Sequence, residues 1–208
     1  MMGILTKKLK QSLLLRKVLA DGYLFDKGFF ISMLSKSPRN KNNEPIPWLT
    51  YSSMDFLIPR LSKEFTLLEY GAGYSTLFFS KYFKNVTSIE HDNDWIDILK
   101  DKISLNCNII SALSDKDEYV LNTSLEGDYD IVLIDGLFRN DCAINAPKIL
   151  NDMGVIIFDD SNRPDYSEAY TYLKKNNYKR LDFWGLSPGS IRNNCTSIFY
   201  LKENCLGI

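Results

Sequence analysis

The chain has 208 residues, of which 45% are hydrophobic and 25% are charged, and its net charge is −1. This length supplies one good hydrophobic core, so we expect a main domain over residues 48–208, preceded by a helical extension and linker over residues 1–47. No apolar run approaches the roughly 20 residues that a membrane-spanning helix needs. The four cysteines are scattered and form no Cys-x-x-Cys pair, which argues against a zinc site and predicts reduced thiols in a cytoplasmic protein.

The N-terminal segment is strongly basic. Residues 1–41 carry nine Lys or Arg and two Asp, so this segment has a charge of +7 and the remainder has −8. Leucines and isoleucines recur between the basic residues at near-helical spacing, which predicts an amphipathic helix. That helix either packs on its own domain or on a second subunit of a homodimer, or it contacts an anionic membrane surface.

A polar, proline-bearing stretch follows over residues 36–47 and predicts a linker or a lid loop. The apolar pattern from Trp48 to Leu61 predicts a helix that ends near Pro59. Trp48 and Tyr51 lie just before the first predicted strand, where they either line a ligand pocket or pack in the core.

The most informative pattern begins with the apolar run Phe65 to Leu68. It leads into Glu69-Tyr70-Gly71-Ala72-Gly73 and then into a helix capped by Ser75 or Thr76. The two glycines leave room for a ligand to approach the backbone. A second apolar strand ends at Glu90, where a carboxylate can accept hydrogen bonds from ribose hydroxyls. The pattern therefore predicts a nucleoside-binding site.

Short apolar strands then alternate with amphipathic helices, which predicts a parallel sheet with helices on both faces. We place the strands near residues 65–70, 86–90, 107–111, 129–134 and 154–159, and the helices near residues 75–83, 93–105, 138–150 and 165–176. The end of the chain differs, because residues 178–184 and 196–201 are strand-like and only a loop with Gly185, Pro188 and Gly189 separates them. We expect these two strands to pair antiparallel.

The Glu-x-Gly-x-Gly pattern lacks the third glycine of a dinucleotide-binding turn. It resembles motif I of the class I S-adenosylmethionine-dependent methyltransferases, and the resemblance extends over about residues 48–202. It implies an α/β fold: a three-layer, doubly wound, seven-stranded sheet of order 3-2-1-4-5-7-6 with strand 7 antiparallel. It also implies that Glu69 helps to hold the methionine ammonium group of S-adenosylmethionine, directly or through water, and that Glu90 binds the ribose.

The remaining cofactor contacts follow from the same resemblance. The glycine loop and the helix start would contact the cofactor, and His91 and the end of the third strand would lie beside the adenine. The end of the fourth strand would face the cofactor or the substrate. These positions are Gly71, Ala72, Gly73, Ser75, Thr76, His91, Ser111, Ala112 and Asp135.

Acidic residues end the fourth and fifth strands, and we expect Asp135 and Asp159 to be catalytic. Similarity to the catechol and caffeoyl-coenzyme A O-methyltransferases implies that Asp135, Asp159 and Asp160 hold Mg²⁺ or another divalent cation. Asp160 stands where those proteins usually have Asn. Alternatively, Asp160 or Ser161 caps the helix after Pro164, and Asp159 positions the substrate. Arg139 and Arg163 either bind an anionic acceptor or form surface salt bridges.

The function that this resemblance implies is methyl transfer from S-adenosylmethionine, with O-methylation of a small hydroxylated acceptor such as a sugar or a secondary metabolite. A nucleic-acid substrate is not expected, because the fourth strand ends in Asp135-Gly136-Leu137-Phe138 rather than Asn/Asp-Pro-Pro-Tyr/Phe and the catalytic region is acidic. Two alternatives stay open: an aminopropyltransferase and a non-catalytic interaction protein with the same fold.

Overall fold

The computed structural model describes residues 12–13, 17–112, 115–122 and 127–208. Most of the predicted N-terminal amphipathic helix lies outside these residues, although residues 17–20 are helical and exposed. Within the described ranges, no helix combines the length and the apolar character needed to cross a bilayer.

Seven strands form a single sheet. They are β1 (Thr66–Tyr70), β2 (Asn85–Glu90), β3 (Cys107–Ser111), β4 (Tyr129–Ile134), β5 (Leu150–Phe158), β6 (Lys179–Ser187) and β7 (Ser190–Tyr200). Their order is β3-β2-β1-β4-β5-β7-β6, and β7 runs antiparallel to both β5 and β6. The predicted strand order and the antiparallel final strand are therefore confirmed.

Helices cover both faces of the sheet. In chain order they are α1 (Tyr23–Asp26), α2 (Phe29–Ser35), α3 (Tyr51–Leu57), α4 (Tyr74–Phe79), α5 (Asn93–Leu99), α6 (Lys116–Val120), α7 (Arg139–Asn145) and α8 (Ser167–Lys175). One apolar cluster joins α2, α3 and α4 to one face of the sheet, and a second joins α6, α7 and α8 to the other. This arrangement is the predicted three-layer fold.

Several predicted boundaries were wrong. The helix predicted over Trp48–Leu61 begins at Tyr51, because Thr50 is extended and accepts a hydrogen bond from the Ser53 amide, and it gives way to a 3₁₀ turn at Ile58–Arg60. The short helix α6 was not predicted. The final hairpin is longer than predicted, since β6 and β7 continue to Ser187 and Ser190. The polar outer halves of these strands gave no apolar pattern to detect.

Residues 36–47 are packed against the domain, unlike a loose linker. Ser37, Pro38 and Ile46 are buried, and an isolated bridge pairs Arg39 with Pro45. Trp48 Nε1 donates a 2.8 Å hydrogen bond to the carbonyl of Pro188 at the tip of the β6–β7 hairpin. This contact holds the segment in place beside the carboxyl ends of the strands.

The ends of β1 and β4 touch through glycine. Gly71 has a φ of +96°, and a Cβ there would lie 2.9 Å from the Cα of Gly136. A Cβ on Gly136 would lie 2.1 Å from the hydroxyl of Tyr119 and 2.8 Å from the Gly71 nitrogen. These distances leave no space for a side chain at either position.

We expect Gly136→Ala to lower the free energy of unfolding by about 1–3 kcal/mol, because the added methyl group would clash with the Tyr119 hydroxyl and the Gly71 backbone. Urea denaturation measures the change. Gly73→Ala is the matched control, since its backbone is extended and the nearest atom to an added Cβ is 4.0 Å away. Equal losses of stability in the two variants would contradict this account.

Candidate functional site

Two cavities adjoin at the carboxyl edge of the sheet. The glycine-loop cavity, of about 550 Å³, is bounded by residues 71–75, Glu90 and the segment before α3. The hairpin cavity, of about 470 Å³, is bounded by the end of β5 and by the β6–β7 hairpin. Trp48 and Asp135 line both cavities. A ligand in one cavity would therefore meet a ligand in the other beside these two side chains.

Hydrogen bonds from several directions fix the glycine loop. The Ala72 amide donates to Glu90 Oε2 at 3.0 Å, and the Gly73 amide donates to Thr76 Oγ1 at 2.9 Å. Trp95 Nε1 donates to the Ala72 carbonyl at 2.9 Å. The loop is thus held from both sides, with its backbone facing the cavity.

Glu69 lies beneath this loop and is fully buried. Its Oε2 accepts hydrogen bonds from Thr76 Oγ1 at 2.5 Å and from Ser88 Oγ at 2.8 Å, while no residue that the structure describes forms a hydrogen bond with its Oε1. Burial raises the pKa of Glu69 to about 7, although hydroxyl donors partly oppose the rise. An unpartnered buried carboxylate oxygen is costly unless a donor or a cation approaches it, and an ammonium group at the loop would lower that cost.

Glu90 ends β2 and lines the glycine-loop cavity. Its Oε1 accepts from the amides of His91 and Asp92 at 2.8 and 2.9 Å, and it lies 2.8 Å from His91 Nδ1. The carboxylate is therefore held at the mouth of the loop, where Oε2, with the Ala72 amide as its one donor among the described residues, retains capacity to accept a further hydrogen bond.

The structure brings most of the predicted cofactor residues into one wall. Gly71, Ala72, Gly73, Ser75, Glu90, His91 and Asp135 all line the glycine-loop cavity. Thr76 is buried one layer below, on Glu69. Ser111 and Ala112 are not in the wall: the Ser111 hydroxyl donates to Asn93 Oδ1 at 2.7 Å, and Ala112 is buried.

Of the two alternatives predicted for Tyr51, a ligand contact or core packing, the structure shows core packing. Only 2% of Tyr51 is exposed, and it packs edge-on against Tyr23 and Phe29 in the core. Trp48, by contrast, is half exposed and contacts both cavities. The two residues differ in exposure because Tyr51 is the first residue of α3, on the side of the helix that packs in the apolar core, whereas Trp48 precedes the helix.

Buried carboxylates dominate the inner end of the hairpin cavity. Asp159 follows β5, and its Oδ1 accepts a 2.6 Å hydrogen bond from Thr196 Oγ1 on the neighbouring strand β7. Burial, and then the nearby Asp135, raise the pKa of Asp159 well above its usual range. Burial also raises the pKa of Asp135, against the opposing charge of Arg139. Both carboxylates can therefore accept protons more readily than exposed aspartates do.

Arg139 was predicted to bind an acceptor or to form a surface salt bridge, and in the structure it lines neither cavity and forms a largely buried salt bridge. Its side chain is only 12% exposed. It forms ion pairs with Asp135 Oδ1 at 2.9 Å and with Asp160 Oδ2 at 3.4 Å, within the group of acids that was predicted to hold a metal. Arg163 is more exposed and also pairs with Asp160, whose Oδ1 accepts from Asn194 at 2.8 Å.

These contacts do not fit a divalent cation. In the part of the chain that the structure describes, no group of three or more His, Cys, Asp or Glu side chains is arranged to hold a metal ion. The guanidinium of Arg139 supplies positive charge to Asp135 and Asp160 instead. Asp160 has a φ of +53°, and its carboxylate is shared among Arg139, Arg163 and Asn194.

Several wall residues were missed by sequence reasoning. In the glycine-loop cavity they are Lys36, Pro38, Tyr74, Trp95 and Leu137, and in the hairpin cavity they are Asn162, Ser187, Ser190, Arg192, Asn193 and Asn194. The polar run Arg192-Asn193-Asn194 within a strand was a usable signal, because such a run needs solvent or a ligand. Lys36 carried no comparable signal, since it enters the wall through tertiary packing.

Comparison with known proteins shows the fold. A proposed O-methyltransferase from Klebsiella pneumoniae aligns over 90% of this chain and 94% of its own, with a TM-score of 0.59 and 13% identity. A precorrin-6y C5,15-methyltransferase from Geobacter metallireducens aligns over 73% and 87%, with a TM-score of 0.57 and 15% identity. A spermidine synthase from Thermotoga maritima aligns over 76% of this chain but 58% of its own, with a TM-score of 0.54 and 17% identity.

The chain therefore has the fold of the class I S-adenosylmethionine-dependent methyltransferases. The same fold carries aminopropyl transfer in the spermidine synthase, so the fold alone does not select the reaction. No protein-family model matches this chain, and no curated protein matches its sequence.

The buried Glu69 should make stability depend on pH. Its pKa is about 7 in the folded protein, above its ordinary value of 4.5. Between these two values the folded state binds more protons than the unfolded state, so the free energy of unfolding falls as pH rises. The loss amounts to at most about 3 kcal/mol. We expect Glu69→Gln to remove this part of the slope, measured by urea denaturation at pH 5 and pH 8.

Glu64→Gln is the control, because Glu64 is exposed and should leave the wild-type slope unchanged. An unchanged slope in Glu69→Gln would show that the buried carboxyl is not protonated in this window.

Proposed function

We propose that this protein is an S-adenosylmethionine-dependent methyltransferase that methylates an oxygen of a small, hydroxylated acceptor, such as a sugar. The observation that carries the proposal is the junction of the two cavities at Trp48 and Asp135. One cavity has a glycine loop and a strand-end acid suited to a nucleoside, and the other is lined by polar side chains. Donor and acceptor would meet at the shared wall.

The donor suits the glycine-loop cavity. Glu90 would accept the ribose hydroxyls, and the backbone of residues 71–73 would face the amino-acid portion above the buried Glu69. Bound S-adenosylmethionine would supply a methyl group on a sulfonium, which an acceptor oxygen displaces in line. The protein then has to align the two molecules and exclude water from between them.

Lys36 favours a donor that carries a carboxylate. Among the described residues that line the glycine-loop cavity it is the one lysine or arginine, and its ammonium has no partner in the described part of the chain. An aminopropyltransferase uses a donor without this carboxylate. A free cation in the wall therefore supports methyl transfer over the aminopropyl alternative.

The acceptor suits the hairpin cavity. Its walls offer amide and hydroxyl groups from Asn162, Ser187, Ser190, Asn193 and Asn194. Trp48 adds an aromatic surface, and its indole is fixed by the hydrogen bond to Pro188. Polar groups beside an aromatic ring are complementary to a hydroxylated ring system.

Asp159 is the candidate general base. It lines the hairpin cavity, Thr196 holds one of its oxygens, and no described residue donates to Oδ2. An acceptor hydroxyl that donates to Oδ2 would lose its proton to Asp159 as the carbon–oxygen bond forms. Asp135, on the shared wall, would orient the same acceptor from the donor side.

Calorimetry with S-adenosylhomocysteine tests the donor half of the proposal. We expect the wild type to bind it and Lys36→Ala to bind it at least about tenfold more weakly, a loss of about 1.4 kcal/mol. Affinity for 5′-methylthioadenosine, which lacks the amino-acid group, should change little in this variant. Lys63→Ala, at an exposed lysine before β1, is the control.

Failure of the wild type to bind S-adenosylhomocysteine would refute the proposed function. Binding with equal losses for both ligands in Lys36→Ala would refute only the role of Lys36.

A panel of hydroxylated acceptors, with S-adenosylhomocysteine release as the readout, tests the acceptor half. We expect Asp159→Asn to lower kcat by about 10²–10⁴-fold, as removal of a general base does, with S-adenosylhomocysteine affinity unchanged. Asp152→Asn, on the exposed stretch of β5 away from both cavities, is the control. Full activity in Asp159→Asn would exclude Asp159 as the base.

A further inference from the structure

Arg139 occupies a cage of oxygen atoms at the carboxyl edge of the sheet. Its Nε donates to the Gly136 carbonyl at 3.1 Å. Its Nη1 donates to the Asp159 carbonyl at 2.9 Å and to Asp160 Oδ2 at 3.4 Å. Its Nη2 donates to the carbonyl and to Oδ1 of Asp135, at 3.0 and 2.9 Å. A guanidinium has five N–H groups, and all five have an oxygen partner here.

The cage is built by two strands. Asp135 and Gly136 follow β4, and Asp159 and Asp160 follow β5, so the guanidinium joins the loops after two neighbouring strands. Three of the five oxygens are main-chain carbonyls, which a surface salt bridge would not use. A side chain that is 12% exposed and holds five oxygens is fixed in position.

Such an all-oxygen environment is also the kind that hard divalent cations prefer. In this protein the guanidinium of Arg139, a cation that belongs to the chain itself, occupies the space between these oxygens. The guanidinium touches Asp135, which lines both cavities, and the main chain of Asp159. It makes no ion pair with the Asp159 carboxylate within 4 Å, so that carboxylate keeps one oxygen for a ligand.

We propose that Arg139 is the resident cation of this site: it fixes Asp135 and the main chain of Asp159 and takes the place of a divalent metal ion. It is a positioning residue, because it acts through these two aspartates and does not itself line either cavity. The consequence for methyl transfer rests on the proposed function. The oxygen cage around Arg139 and its capacity to bind a metal ion do not depend on that function.

We therefore expect Arg139→Ala to gain a metal site. Removing the side chain leaves two carboxylates and three carbonyl oxygens around a vacated space, and this set should bind Mn²⁺. We expect electron paramagnetic resonance to detect one Mn²⁺ per chain in Arg139→Ala, at least tenfold tighter than any binding by the wild type. Adding Asp160→Asn to that variant should abolish the binding.

Arg163→Ala is the matched control. Arg163 pairs with the same Asp160 but is half exposed and makes no contact with the carbonyl cage. It should therefore gain no Mn²⁺ site. Equal Mn²⁺ binding by Arg163→Ala and Arg139→Ala, or no binding by a folded Arg139→Ala, would overturn the proposal.

The wild type and Arg139→Lys provide tests if Arg139→Ala does not fold. One-to-one Mn²⁺ binding by the wild type that is lost in Asp160→Asn would overturn the proposal directly.

Arg139→Lys keeps the charge but has three donors for five oxygens. We expect it to lower kcat at least tenfold with an unchanged KM for S-adenosylmethionine, and 5 mM EDTA should leave wild-type turnover unchanged. Loss of turnover in EDTA that Mg²⁺ restores would contradict the assignment.

These outcomes are distinguishable from failure of the proposed function. A protein that binds no S-adenosylhomocysteine can still show the Mn²⁺ site in Arg139→Ala, and an active methyltransferase can still lack it.

Discussion

At the carboxyl edge of the sheet, β1 and β4 end in two glycines whose backbones lie against each other. A Cβ added at either Gly71 or Gly136 would meet the backbone of the other, so the two chain segments touch without side chains between them. Gly71 begins the glycine loop, and Asp135, directly before Gly136, lies between the two cavities. The position of the acid relative to the glycine loop is thus set by contact between the two backbones.

The site keeps three carboxylates largely out of water, and it stabilises each one differently. Glu69 relies on hydroxyls from Thr76 and Ser88, Asp159 on the hydroxyl of Thr196, and Asp135 on the guanidinium of Arg139. Hydroxyl donors leave a carboxylate easier to protonate than an ion pair does, because they supply no full charge. Both aspartates have a raised pKa, but only Asp135 has a guanidinium that opposes the rise through an ion pair, which leaves Asp159 the better suited of the two to take up a proton.

The sequence allowed the sheet and the glycine loop to be predicted because both depend on local signals. Apolar strands such as Ile131–Ile134 and the glycines at 71 and 73 are visible without knowledge of their neighbours. Lys36 and Trp95 reach the cavity wall only through packing between distant segments, and no periodicity marks them. Arg139 was found as a charged residue near the site, but the direction of its side chain depends on main-chain carbonyls that follow β4 and β5, which no sequence pattern reports.

The hydrogen bond from Trp48 to Pro188 joins residues 140 positions apart in the chain. Pairing between β1 and β2 closes a far shorter loop, at a lower cost in chain entropy. The strand pair on which the glycine loop is built is therefore closed by contacts between nearby parts of the chain, whereas the hairpin half of the site requires distant parts of the chain to meet. The room for an acceptor is thus the part of the site that carries the larger cost in chain entropy.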